Sequence, residues 1–220
     1  MCTSHGFAAA MAVRTPAVLR AIESLAHGRM VLAVDDKDRE DEADLVIAAD
    51  FATPEALTFM AHTGGGLICV AMTGERLDDL EIGLMVPIRQ NTALLQTAFT
   101  VSVDVVDGAT TGISAFDRAL TIQALIAAET KPSDLARPGH IFPLRAHDNG
   151  VLGRRGQTEM GVDLTRLAGC TPAAVICELM GSDGNMTRGS DLQQFSREHD
   201  LPIVSVEEVV AYRQSMGGNS

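Results

Sequence analysis

Tryptophan is absent, tyrosine occurs once, and aromatic residues make up only 4% of the 220-residue chain. Aliphatic side chains must therefore build the core. Basic residues are also scarce. Lys and Arg number 17 against 29 Asp and Glu, a formal net charge of −12. That balance excludes the electropositive surface needed for non-specific docking on nucleic acid or on an anionic membrane. No apolar run approaches the roughly 18 residues of a membrane span. The N-terminal MCTSHGFAAAMAVRTP lacks a basic start followed by a sustained apolar stretch, so no signal peptide is expected. Cys2, Cys69, Cys170 and Cys177 form no CxxC pair and no zinc-like spacing, which points to reduced thiols in a cytoplasmic protein.

What is present is a hydrophobic fraction of 46% and 20 glycines, in a chain long enough to bury a substantial core. Helix and strand signals alternate from end to end. Thr15-Pro16 reads as an N-cap and first-turn proline, with Val18, Leu19, Ile22 and Leu25 on one helical face and Gly28 closing it. Strands are expected at 30–34, 45–49, 67–72, 174–180 and 202–206. Helices are expected from Thr53-Pro54, over 118–128, near 191–199 and from Glu207. FTVSVDV at 99–105 alternates, which predicts a strand with Phe99, Val101, Val103 and Val105 on one side. Ser114 and Asp117 have the spacing of a capping box. With no repeat or linker, the pattern predicts one mixed α/β domain over 1–220, a sheet covered by helices, with 1–14 and 214–220 as flexible ends.

Four stretches concentrate chemistry. DDKDREDEADL at 35–45 packs seven carboxylates (Asp35, Asp36, Asp38, Glu40, Asp41, Glu42 and Asp44) around Lys37 and Arg39. Such a run is either a solvated acidic loop or a group whose repulsion a divalent cation or paired arginines offset; oxygen ligands favour magnesium or manganese. In DGATTGISAFD, Thr110, Thr111 and Gly112 precede a helix start, which makes either a plain turn or a phosphate seat. KPSDLARPGHIFPLR reads as a stiff, irregular loop that fixes His140 for proton transfer. Glu178 interrupts the apolar VICELM, so it is a strand-end residue, a paired carboxylate or one with a raised pKa. RRGQTEMG at 154–161 offers Arg154, Arg155 and Gly156 to an anion and Thr158 and Glu159 as polar neighbours, with the amide of Gln157 between them.

Together these stretches resemble the 3,4-dihydroxy-2-butanone 4-phosphate synthase family of riboflavin biosynthesis, from about Ala21 to Arg213. GLICVAMT, TAFTVSVD, TTGISAFDRALTI, GVLGRRGQTE and VDLTRLAGCTPAAVICELM carry the likeness alongside the acidic and His140 stretches. The resemblance implies a three-layer α/β domain with a mixed sheet, without the GTP cyclohydrolase II domain fused to many relatives. It implies a cytoplasmic homodimeric lyase that converts ribulose 5-phosphate to 3,4-dihydroxy-2-butanone 4-phosphate and formate, with Mg2+ or Mn2+. By motif, Glu40 and the residue at 157 would hold metal. Arg39, Glu40, Asp44, Cys69, Thr111, Arg154, Arg155, Gly156 and Thr158 would contact substrate, and His140, Glu178 and Glu42 would form the catalytic set.

The likeness has departures. Gln157 stands where the family motif has a metal-ligating His, and an amide oxygen can ligate magnesium but cannot exchange a proton. Asp41-Glu42-Ala43-Asp44 replaces Asn-Glu-Gly-Asp, and His62-Thr63-Gly64-Gly65-Gly66 replaces Arg-His-Gly-Ser-Gly. Three readings follow: the family reaction, a diverged enzyme acting on a sugar phosphate without formate release, and a silent sugar-phosphate-binding protein.

Overall fold

A computed structural model describes residues 16–217. Cys2, the expected N-cap Thr15 and the segment 1–14 lie outside them. Seven strands form one sheet: β1 (Val31–Val34), β2 (Ala43–Ala48), β3 (Cys69–Met72), β4 (Val103–Val105), β5 (Leu135–Arg145), β6 (Ala173–Glu178) and β7 (Ile203–Ser205). Their order is β4-β5-β3-β6-β2-β1-β7. The β1/β7 and β3/β5 pairs are parallel and the rest antiparallel, so the sheet is mixed as expected. The helices are α1 (Pro16–Ala26), α2 (Pro54–Phe59), α3 (Gly74–Asp79), α4 (Ala115–Ile126), α5 (Gln157–Leu167), α6 (Gly189–His199) and α7 (Val206–Gly217). The last runs on through 214–217, part of the segment expected as a flexible end.

Strand alternation divides the core into two apolar layers. Leu45, Ile47, Val70, Val175 and Cys177 join Leu57 of α2, Ile122 and Leu125 of α4 and Leu192 of α6 on one face. Val46, Cys69, Ala71, Ala174 and Ile176 join Val18 and Leu25 of α1, Met160 and Leu164 of α5, and Val209 of α7 on the other. The result is helices, sheet, helices. Each fully buried Leu or Ile contributes about 1.5–3 kcal/mol of transfer free energy. Because both faces are covered, β2 is buried at every position and its sequence reads as a run without alternation.

Several local expectations are corrected. Ala21 rather than Leu19 completes the buried face of α1, and Leu19 is exposed. The 99–105 strand shrinks to β4, preceded by isolated bridges at Phe99 and Thr100 and carrying a register shift between Val103 and Asp104. Phe99 and Val103 pack into opposite layers, so the expected single face is not kept. Ser114 Oγ does cap α4, accepting from Asp117 N at 3.0 Å. The Asp117 carboxylate does not reciprocate; it takes Thr110 N, Thr110 Oγ and Gly112 N and so pins the preceding loop.

The supposed loop around His140 is the long strand β5. Pro143 offers no N–H, but its carbonyl accepts from Thr100 N and Thr100 Oγ1, and the His140 N–H goes to the Asp104 carboxylate. The RRGQTEMG turn, finally, leads into α5, whose residues 157–165 are all buried. A helix enclosed on every side presents no 3.6-residue stripe to read, which is why the pattern concealed it.

Candidate active site

One end of the sheet gathers the chemistry. The C-terminal ends of β1 and β6 and the N-terminal ends of β2 and β3 meet there. Asp44 pairs with Glu178 across β2 and β6, and Cys69 is opposite Ile176 and Phe142. Side-chain alternation therefore puts Asp44, Cys69, Glu178 and His140 on the face covered by α5. The start of α5 closes the site from above.

The acidic loop between β1 and β2 folds around Arg39. Arg39 Nη1 donates to Asp35 Oδ2 at 2.5 Å and to Gln157 Oε1 at 3.0 Å, and lies 3.2 Å from Glu40 Oε2. Three oxygens thus converge on one cationic nitrogen. Asp35 also takes the Glu40 N–H, tying the loop to itself. Arg188, which sequence reading missed, clamps the loop from outside: it donates to the Asp41 and Glu40 carbonyls and lies 3.7 Å from Glu42 Oε1.

Deeper in, Asp44 is buried, and its Oδ1 has no hydrogen-bond partner among the described residues. Burial, then the Glu178 and Glu40 charges, hold its carboxyl well above the usual range. Burial and the neighbouring Glu40 also raise Glu42. Burial, followed by Glu178 and Asp44, pushes the Cys69 thiol upward, so it lines the site as a neutral group and not as a thiolate nucleophile. Glu178 Oε2 accepts from Leu67 N at 2.8 Å. A side chain at Gly66 would collide with that same carboxylate oxygen, so this glycine makes room for the catalytic candidate.

The α5 turn is saturated internally. Arg154 donates to the buried Glu159 carboxylate at 2.7 Å and to Thr97 Oγ1 at 3.1 Å. The other Glu159 oxygen accepts from His147 N. Arg155 grips Asp36 at 2.6 and 2.9 Å and holds that carboxyl below its ordinary pKa. Gly156 is the N-cap, and Gln157 and Thr158 form the buried first turn.

His140 lies beyond this, half exposed, with Nδ1 2.7 Å from Asp104 Oδ2. Asp104 was not anticipated from sequence; its place in an alternating strand disguised it. The 107–117 loop presses on this pair, since any side chain at Gly112 would strike both groups. Thr111 sits exposed beside it, and the contacts of that loop run to Asp117 and the His140–Asp104 pair, not to the arginine turn.

The sequence model of the family described as 3,4-dihydroxy-2-butanone 4-phosphate synthase matches residues 19–212. The chain belongs to that family. It is 54% identical to the 3,4-dihydroxy-2-butanone 4-phosphate synthase of Agrobacterium fabrum over 87% of this chain and 89% of the relative. It is 53% identical to the riboflavin biosynthesis protein RibBA of Synechocystis over 90% of this chain but only 35% of that longer protein. A solved 3,4-dihydroxy-2-butanone 4-phosphate synthase, in complex with two magnesium ions, superposes with a TM-score of 0.86 at 41% identity, covering 92% of this chain and 99% of the other.

For a synthase-family site the question is whether these residues suit a divalent cation. Among the described residues no group of three or more His, Cys, Asp and Glu side chains is disposed as a metal cage. The donors that do converge, Glu40 Oε2 and Gln157 Oε1, are hard oxygens already facing one cationic nitrogen. The chemistry of these donors fits a hard divalent cation such as magnesium or manganese, which Glu40 and Gln157 would hold.

Proposed function

We propose that the protein converts ribulose 5-phosphate to 3,4-dihydroxy-2-butanone 4-phosphate and formate, as a lyase of riboflavin biosynthesis. The observation that carries this reading is the joint presence, at one sheet end, of the Glu40–Gln157 oxygen pair, the buried Asp44–Glu178 pair and the His140–Asp104 pair. Separately each has a structural explanation. Together they supply what a reaction that enolises a ketose, expels a hydroxyl and rearranges its skeleton requires.

Glu40 and Gln157 would hold the cation, magnesium in the first instance, which supplies Lewis-acid polarisation of the sugar's carbonyl and adjacent hydroxyl. Asp104 accepts from His140 Nδ1–H, which leaves Nε2 as the base for a carbon-bound proton. Glu178 is held by the Leu67 N–H within an apolar strand and faces the same space as Asp44, positioned to return a proton to a departing hydroxyl. Glu42 lines the acidic rim beside them. Thr158 and the first-turn N–H groups of α5 offer the phosphate its seat, since helix starts attract anions. Arg154 and Arg155 flank that seat; each is engaged with a carboxylate, so a phosphate must share or displace those partners.

The active assembly is a homodimer in this reading, in the cytoplasm. Supporting it, Ile113, Phe116 and Leu120 of the α4 region expose apolar surface beside His140, and Phe116 is 72% exposed. No described helix is long and apolar enough to cross a membrane, and Cys69, Cys170 and Cys177 are free thiols.

The test is to mix purified protein with carbon-13-labelled ribulose 5-phosphate and magnesium, with and without EDTA, and follow the products by NMR. Metal-dependent formate is the expected result. Substrate consumed without formate would replace this reading with a truncated reaction, and an unchanged spectrum with a binding role.

A further inference from the structure

A cavity of about 820 Å³ lies between α1 and α6, over the start of β7. It occupies the opposite end of β1 from the acidic loop and shares no residue with the site described above. From α1 and the turn that ends it, it takes Arg20, Glu23, Ser24 and His27, spaced as one helical face. From α6 and its C-terminal cap it takes Gln193, Ser196, Arg197 and Asp200, at the same spacing. Two polar stripes thus confront one another across a groove.

Its charge departs from that of the molecule. Arg29 and Asp200 satisfy one another, with a 2.7 Å ion pair and a second bond from Arg29 to the Asp200 carbonyl at 2.9 Å. Arg20 and Arg197 make no ion pair among the described residues. Glu23 is the one carboxylate left in the lining to oppose them. Its backbone carbonyl lies 2.8 Å from His27 Nδ1, which leaves His27 Nε2 for another partner. On a chain of net charge −12 this is a local cationic surplus, and the arginines of the groove attract small anions against the repulsion of the rest of the surface.

We propose that this groove is a second anion site, which takes a compact phosphorylated ligand. Guanidinium forks from both walls match phosphate oxygens. Ser24 and Gln193 add polar groups suited to ligand hydroxyls. Among the described residues no Phe, Tyr or Trp lines the groove, so it offers no broad apolar ring face to a nucleobase or a flavin. The shared chemistry is a phosphate group, carried either as free phosphate or on a small polyol.

The test is an amide ¹H–¹⁵N NMR titration of the full chain, in parallel, with inorganic phosphate and with ribose 5-phosphate. The expected result is saturable shifts at 20–29 and 193–203. Equal affinity for both probes would identify free phosphate as the source, and tighter sugar-phosphate binding a polyol ester. The double variant Arg20→Glu, Arg197→Glu should weaken these shifts more than about tenfold, from two lost charge-assisted contacts. Shifts at 35–44 and 154–159 should survive in that variant, which also shows that it is folded. Groove amides that ignore both probes at millimolar concentration, or respond equally in the double variant, would overturn the proposal.

Discussion

The two walls of the site differ in how their charges are matched. On the helix wall, Arg154 meets Glu159 and Arg155 meets Asp36, both through short ion pairs. On the strand wall, Asp44 faces Glu178 with no cation between them, and Asp35 Oδ1 and Asp44 Oδ1 are buried without partners. One wall has its charges paired internally. The other carries an excess of carboxylates, which Arg39 and Arg188 offset among the described residues. Crowded buried carboxylates are expensive, and their clustering on this wall supports the proposal that a cation and a substrate bind there.

The strongest way to break this comparison is to remove the proton-handling groups. Glu178→Gln and His140→Ala should each lower kcat by about 10²–10⁴, with circular dichroism unchanged, because neither side chain holds the core. If either variant stays within a few fold of the parent, the strand wall is structural and the assignment fails. Asp104→Asn should cost about 10–100-fold, mostly in kcat. Its pH–rate profile should also shift, an effect that loss of packing alone would not produce.

A smaller effect sharpens the contrast through stability. The folded pKa of Asp44 is raised, so the native state holds a proton that the unfolded chain releases. Wild-type stability should therefore decline as pH rises from the ordinary carboxylate range through that raised value. Asp44→Asn removes the dependence. Its melting temperature should exceed the parent's at neutral pH, by about 2–4 °C per kcal/mol gained, with the difference vanishing near pH 4. The smallest effect concerns Asp117, whose bonds from Thr110 and Gly112 hold its pKa down to about 2. Asp117→Asn should melt slightly below the parent at pH 7. That gap should close as acid protonates the parent's carboxylate toward pH 2, because the stabilisation from a depressed pKa is lost below it.

Parts of this contrast were legible beforehand. The apolar runs of β1, β2 and β6 announced a covered sheet, and the acidic run, His140 and Glu178 stood out against their neighbours. The pairing of charges did not. Asp104 looked like one polar position in an alternating strand, and only the register shift at Val103/Asp104 shows it meeting His140. Arg188 is nearly 150 residues from the loop it clamps, beyond any local pattern. The arginine turn could be seen, but α5 behind it could not, because its buried Gln157, Thr158, Glu159 and Asp163 leave no apolar stripe to read. The proline-rich stretch misled in the opposite direction, since β5 directs its irregular hydrogen bonds to Thr100 and to a carboxylate.

The central claim is that Glu40 and Gln157 mark the point where a cation completes the strand wall. Its most direct test is a Mn2+ titration followed by electron paramagnetic resonance, with ribulose 5-phosphate present, for the parent, Glu40→Gln and Gln157→Ala. The account predicts saturable binding to the parent, weakened about tenfold or more in each variant. Equal Mn2+ affinity in all three proteins would contradict it.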